Sequence, residues 1–262
     1  MNRIGVGVIT CNREHFLKQC IESIPLDIVD HIVIINDGKP LPGEYFKMAV
    51  DKVDIIEHEE NMGVGKSKND ALKYLLNNNC THLFLIEDDI IIKNNKVFNE
   101  YIRCSEITGI KHLNFCLHGE DNKVNRSPNP KKIIDYRDIR LAIYHNIYGA
   151  FSYYHRDVID KIGMMDEAYV NAMEHVDHTM EAIKAGFHPP FRWFADLENS
   201  DDWLDEQDRG HSESVIRTGD WLTNFREGVD RFKVKFDIDV CNPYQSIDSL
   251  DDVVSYLKNV KP

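Results

Sequence analysis

Short apolar runs that each stop in polar residues recur through the first ninety positions, and this rhythm constrains the fold more than any other feature. Ile4, Val6, Val8 and Ile9 run into Thr10, Cys11 and Asn12, and His31 to Ile35 runs into Asn36, Asp37 and Gly38. Val53 to Ile56 runs into the polar stretch 57–61. Helical patterns lie between them. Phe16, Leu17, Cys20, Ile21 and Ile24 share one face before Pro25, with Thr10 to Asn12 as turn and cap, and a helix opening at 63–67 places Ala71, Leu72, Leu75 and Leu76 inward. Strands alternating with helices predict a mostly parallel, doubly wound α/β sheet, whose ligands sit beyond the carboxyl ends of the strands. The polar strand ends would then face one crevice.

The next strand carries the most chemistry. Leu83 to Ile86 has the composition of a strand buried on both faces, and it ends without a break in Glu87, Asp88 and Asp89. Three like charges at a sheet edge are costly unless a cation or hydrogen-bond donors share them. Magnesium or manganese suits such oxygen ligands, taking one or two carboxylates and completing its shell with phosphate oxygens and water. A solvated acidic turn is the plainer reading. Gly65, Lys66 and Ser67 mimic the end of a P-loop, but Glu60 stands where the first glycine belongs. Lys66 and Lys68 remain candidate phosphate contacts near a helix N-terminus, against the commoner fate of solvated lysines.

Further on, Asn94 or Asn95 can cap a helix through Ile107, and Lys111 to Leu117 reads as a strand. Residues 119–132 form a polar, aperiodic loop. Ile133 to Tyr136, Ile139 to His145 and Ile147 to Tyr154 are strand-like, Arg156 to Ile162 is a short helix, and Phe187 to Leu197 is one more strand. A helix from about Glu174 to Ala185 buries Val176, Met180 and Ile183, a phasing that turns Glu174, Asp177 and Glu181 away from the core toward the crevice. Residues 199–208 read as irregular, Ser214 to Phe232 mixes a helical pattern with glycines, and Ser246 to Val260 is an amphipathic helix. This predicts one large domain over 1–197 and a C-terminal extension over 198–262, with a lid segment and a terminal helix.

The net charge of -13 argues against a surface that binds polyanions everywhere. Six cysteines without short spacings read as reduced thiols, and no apolar run reaches the length of a signal-peptide core or membrane span. A soluble, cytoplasmic protein is expected.

Taken in order, these motifs resemble the GT-A glycosyltransferases, family 2 in particular, over about residues 3–195. Val8 to Arg13 is similar to the family's opening strand and turn, and Val33 to Gly38 to its second strand, whose aspartate, here Asp37, contacts the nucleotide base. Asn61-Met62-Gly63 followed by Ser67-Lys68-Asn69 resembles a segment that usually carries arginine where Lys68 stands. Glu87-Asp88-Asp89 occupies the place of the DxD element, with Asp89 at the metal-binding position. Gly149-Ala150-Phe151 through Met165-Asp166-Glu167 is similar to the acceptor side, and Glu174-His175-Val176-Asp177 stands where the family has a Glu-Asp pair. His175 replaces the residue that usually serves as base, so Glu174, His175 and Asp177 are all candidates. His211 resembles the late histidine that completes metal coordination in some of these enzymes.

The resemblance implies a transferase that moves a sugar from a nucleoside-diphosphate sugar, UDP by preference, to an acceptor hydroxyl with inversion, using Mn2+ or Mg2+ on Asp89 and His211. Thr10, Asn12, Arg13, Asp37, Asn61, Gly63, Lys66, Lys68, Glu87 and Asp88 are the implied donor-side residues. A glycan, a lipid-linked sugar, a protein or a modified nucleic acid base are all open as acceptor. Trp193, Trp203 and Tyr153 offer stacking surfaces, with core packing the plainer fate of each. Two rival readings are a non-catalytic sugar-nucleotide or glycan binding module and a sugar-phosphate nucleotidyltransferase. The latter is disfavoured because no glycine follows the first strand.

Overall fold

The computed structural model describes residues 2–43, 45, 52–209, 213–214 and 220–259. Strands β1 (Ile4–Thr10), β2 (His31–Asn36), β3 (Val53–Glu57) and β4 (His82–Glu87) form the parallel part of a six-stranded sheet. Its order is β3-β2-β1-β4, continued by β11 (Phe151–His155) and β6 (His112–Asn114). β11 runs antiparallel to both β4 and β6. Helix α1 (Glu14–Ser23) leads outward from β1 to β2, while α2 (Val64–Asn77) crosses back to β4 on the other side of β1. The strand order therefore reverses between β1 and β4, where doubly wound sheets open their binding crevice.

Both faces of the sheet are covered, which is why β1 and β4 read as near-continuous apolar runs. Val6, Val8, Phe84 and Ile86 join one core, with Leu17, Phe98 and Tyr101. Ile9, Leu83 and Leu85 join a second, with Ala71, Leu72 and Leu75 of α2. Gly7 permits the close seating of α2, because a Cβ there would stand 2.6 Å from that of Ala71.

Several expected elements change in extent. The strand expected over 111–117 is confined to His112–Asn114, and that over 187–197 to β12 (Phe194–Leu197). Pro189 and Pro190, which lack N–H donors, precede the shortened strand. The loop over 119–132 contains a small hairpin, Lys123–Val124 against Ser127–Pro128. The acidic stretch after 198 is ordered: Ser200–Trp203 is a helical turn, and β13 (Leu204–Glu206) pairs with β5 (Ile90–Ile92) directly beyond the three carboxylates. Backbone pairing organises it, a non-local signal that charge composition does not carry. Helix α3 (Val97–Thr108) has no side-chain cap, and Asn94 instead accepts from the Lys96 amide. Helix α1 likewise starts at Arg13 without a side-chain cap.

The C-terminal elements share the main core. Phe232 of helix α7 (Trp221–Phe236) and Val253 and Leu257 of α8 (Leu250–Asn259) are buried in it. Among the described residues no helix is long and apolar enough to cross a membrane.

Candidate active site

The carboxyl edge of the sheet assembles from the strand ends upward. Thr10 closes β1, and its hydroxyl donates to Asp88 Oδ2 at 2.6 Å, while the Asp88 amide bonds to Ile9 O. Arg13, at the start of α1, pairs with Asp88, reaches Asp89 Oδ2 at 3.1 Å and lies 3.9 Å from Asp208. Asp88 and Asp89 are buried, at 0% and 3% exposure. One guanidinium therefore shares the charge of a carboxylate cluster sealed from water. Burial and the neighbouring Asp89 push the Asp88 carboxyl up to about 7 despite Arg13. Burial also opposes ionisation of Asp89, but His118 and Arg13 outweigh it and hold that carboxyl below its usual range.

Asp89 Oδ1 makes no hydrogen bond and lies 3.8 Å from His118 Nε2. A buried carboxylate oxygen whose nearest partner is an imidazole at 3.8 Å has coordination capacity left for a divalent cation. Among the described residues no three His, Cys, Asp or Glu side chains are arranged to hold a metal ion by themselves. Asp89 would thus supply a partial shell, as suits an ion completed by phosphate oxygens. His211 lies outside the described residues.

A second cluster sits across the crevice. Lys68, 1% exposed, donates from Nζ to Glu174 Oε1 at 2.9 Å, Glu87 Oε1 at 3.0 Å and Gly149 O at 3.0 Å. Burial works against its charge, but Glu174 and Glu87 more than offset that and raise its pKa. Burial likewise opposes the charge on Glu174, and Lys68 and His175 overcome it, lowering its pKa far below the carboxylate range. His175 Nδ1 stands 3.1 Å from Glu174 Oε1. At Gly149 a Cβ would lie 2.8 Å from the His175 ring and 2.9 Å from Lys68 Nζ, so only glycine admits this packing.

The structure corrects the expected phasing of helix α5 (Glu174–Lys184). Glu174 and Asp177 do not point away from the core; each is 2% exposed. Asp177 accepts from Tyr169 Oη at 2.9 Å and from Lys235 at 2.7 Å, because α7 packs over that face and supplies a cation. A pattern of apolar positions cannot register a carboxylate buried by a partner 58 residues away.

Two adjoining cavities open along the edge. The first is lined by Thr10, Cys11, Arg13, Asp37, Asn61 and Glu87. Asp37 Oδ1 accepts from Met62 N and His58 Nδ1, both at 2.7 Å, and Oδ2 accepts from Gly63 N at 2.8 Å, so this carboxylate fixes the 58–63 turn that walls the cavity. The second, of about 460 Å³, is lined by Glu87, His118, Tyr148, Glu174, His175 and Trp221, among others. Glu87 borders both.

Other expected donor-side residues lie outside these walls. Asn12 is exposed, its Oδ1 accepting from Lys39 N, and Lys66 pairs with Asp70 at 2.5 Å beside a separate hollow near His58. The expected stacking aromatics are elsewhere too. Tyr153 is fully buried, Trp193 lies under Lys131 at 3.3 Å, and Trp203 packs on the core. His118, Glu206 and Asp208 were not singled out in the sequence. Glu206 and Asp208 are two of several charges in an acidic run and His118 precedes a polar loop, so nothing local marks them, and the β5–β13 pairing and the segment after β6 bring them to Asp89 and Arg13.

Solved structures resemble this architecture at low identity. Staphylococcus aureus TarS 1-349 superposes with a TM-score of 0.59 at 15% identity, over 98% of this chain and 71% of that one. TarS 1-349 in complex with UDP-GlcNAc gives 0.57 at 15% identity, over 98% and 72%. GalNAc-T7 with UDP, GalNAc and Mn2+ gives 0.60 at 12% identity, over 97% of this chain and 54% of that one, so this chain spans about half of GalNAc-T7. At these identities the likeness is one of fold, and the fold is GT-A. No curated protein matches the sequence. The description of glycosyl transferase family 2 matches residues 6–163, more than half of the chain and the stretch that supplies Thr10, Asp37 and the carboxylates 87–89, and the chain accordingly belongs to glycosyl transferase family 2.

Proposed function

We propose that this chain transfers a sugar from a nucleoside-diphosphate sugar, UDP by preference, to an acceptor hydroxyl with inversion, and that His175 is the base. The observation that carries the reading is the relay Lys68–Glu174–His175, whose Glu174 and His175 line the second cavity where it adjoins the first at Glu87. A general base works best with a pKa near the working pH, and Glu174, held strongly ionised by Lys68, is a poor proton acceptor. Its carboxylate is suited to orient His175 instead. A proton on Nδ1, donated to Glu174, leaves Nε2 as the accepting nitrogen.

In the displacement, the acceptor oxygen bonds to the anomeric carbon as the bond from that carbon to the phosphate oxygen breaks. The bonding pair leaves with the nucleoside diphosphate, and the hydroxyl proton passes to His175 Nε2. Asp89 would hold the metal, with His211 as the proposed late ligand, and a bound Mn2+ or Mg2+ supplies neutralisation of the leaving diphosphate. Arg13, at the border of the first cavity, is placed to add to that neutralisation. Thr10, Asp37, Asn61 and Glu87 shape the nucleoside side. TarS bound to UDP-GlcNAc and GalNAc-T7 bound to UDP and Mn2+ support this choice of donor and metal.

The test is donor turnover by mass spectrometry with product stereochemistry by NMR. His175→Gln should lower kcat by about 10²- to 10⁴-fold with UDP affinity nearly kept. Retention of configuration, or near wild-type kcat in the variant, removes His175 from this role. A protein that binds sugar nucleotides but turns none over is a binding module.

A further inference from the structure

The second cavity has a chemical character of its own. One wall is aromatic: Trp221 and Phe225, one turn apart on α7, lie parallel with centroids 5.1 Å apart and planes at 13°, and Tyr148 also lines the space. Among the described residues the remaining polar lining is Asn171, Ser214, His118, His175 and the carboxylates Glu87, Asp121 and Glu174. Among the described residues no lysine or arginine side chain lines it, whereas the first cavity has Arg13. Lys68 is close, but its ammonium is enclosed by Glu174, Glu87 and Gly149 O.

From this arrangement we infer that the acceptor is an uncharged sugar unit, seated with an apolar ring face on the Trp221–Phe225 wall and one hydroxyl toward His175. The inference rests on the transferase reading above and names the substrate class of that same site. A pyranose has the two-sided character that the cavity presents. Its C–H face is apolar and meets the electron-rich face of an aromatic ring, while its hydroxyls need hydrogen-bonding groups around the edge. A nucleic acid could also stack a base there, but its binding depends on cations that neutralise phosphates, and this lining is acidic. The same carboxylates would repel a polyol phosphate.

The experiment takes the full chain with Mn2+ and whichever UDP-sugar it hydrolyses or transfers. Offered acceptors are methyl glycosides of glucose, galactose and N-acetylglucosamine, lactose, a duplex oligonucleotide bearing hydroxymethylated bases, and ribitol phosphate. Transfer to one of the neutral sugars is expected. Trp221→Ala should then raise the acceptor KM tenfold or more, while kcat and the Kd for UDP stay within twofold. Trp221→Phe, which keeps a stacking ring, should recover most of the KM. Transfer confined to the oligonucleotide or to ribitol phosphate overturns the inference, as does an unchanged acceptor KM in Trp221→Ala. Donor hydrolysis without transfer to any neutral sugar also counts against it, yet leaves the enzyme reading standing. Absence of both hydrolysis and transfer for every nucleotide sugar sinks the transferase reading and this inference together.

Discussion

Replacing Lys68 with methionine should destabilise the protein by about 3–5 kcal/mol, the usual cost of removing one partner from a buried ion pair. Methionine fills similar space, so the loss is electrostatic. Among the described residues Glu174, 2% exposed, keeps His175 at 3.1 Å as its side-chain partner, and Gly149 O loses its donor at 3.0 Å. Glu87 is partly open to solvent and adds little. At about 2.1 cal/mol/K per residue, 262 residues give an unfolding entropy of about 0.55 kcal/mol/K, so Tm should fall by about 5–9 °C. Urea unfolding followed by circular dichroism gives the free energy directly. The control is the double variant Lys68→Met with Glu174→Gln, which removes the stranded charge and should recover more than half of the loss. A single variant costing under about 1 kcal/mol, or a double variant no better than additive, would show that Glu174 is not held as a buried anion by Lys68.

Three further outcomes follow from the same geometry. Asp89→Asn should abolish Mn2+-dependent UDP binding in calorimetry while the chain stays folded; wild-type binding in that variant would take Asp89 out of the metal site. Gly149→Ala forces a Cβ to within 2.9 Å of both the His175 ring and Lys68 Nζ, so kcat should fall at least tenfold with a stability loss of about 1–3 kcal/mol, and unchanged kinetics would contradict the packing. Burial lowers the pKa of His112 and His178 and brings His82 and His188 down to about 4, so at these four sites the unfolded chain binds more protons below pH 6.5, while Asp88 and Asp196, pushed up to about 7, bind more in the native state across the same window. The histidine contribution should therefore be full above pH 6.5 and decline as pH falls toward 4, with His188 alone contributing up to about 3 kcal/mol, read as the difference in unfolding free energy between the wild type and His188→Gln across that window. A difference between wild type and His188→Gln that is flat across that window would mean that His188 is not buried neutral.

The order β1, α1, β2, β3, α2, β4 and the polar strand ends were legible in the sequence, because burial on two faces imposes apolar runs and alternation imposes a parallel sheet. The Glu87-Asp88-Asp89 cluster was legible for the same reason: it follows a buried strand directly, so its place at the crevice is a local consequence of β4. The function of each carboxylate was not. Asp88 is held up near 7 because burial and Asp89 outweigh Arg13, whereas Glu174 is held down because Lys68 outweighs its burial, and these cations come from 75 and 106 residues away. The turning inward of Glu174 and Asp177 escaped the pattern of α5 because helical periodicity assigns charged residues to solvent unless a distant cation is known. Lys68 and Lys235 are those cations, and only tertiary packing delivers them. The cavity beside His175 escaped for a related reason, since Trp221 and Phe225 come from the C-terminal part and Tyr148 from the approach to β11. A local pattern sets which residues face a core, whereas the assembly of distant elements sets which charges and rings meet at the site.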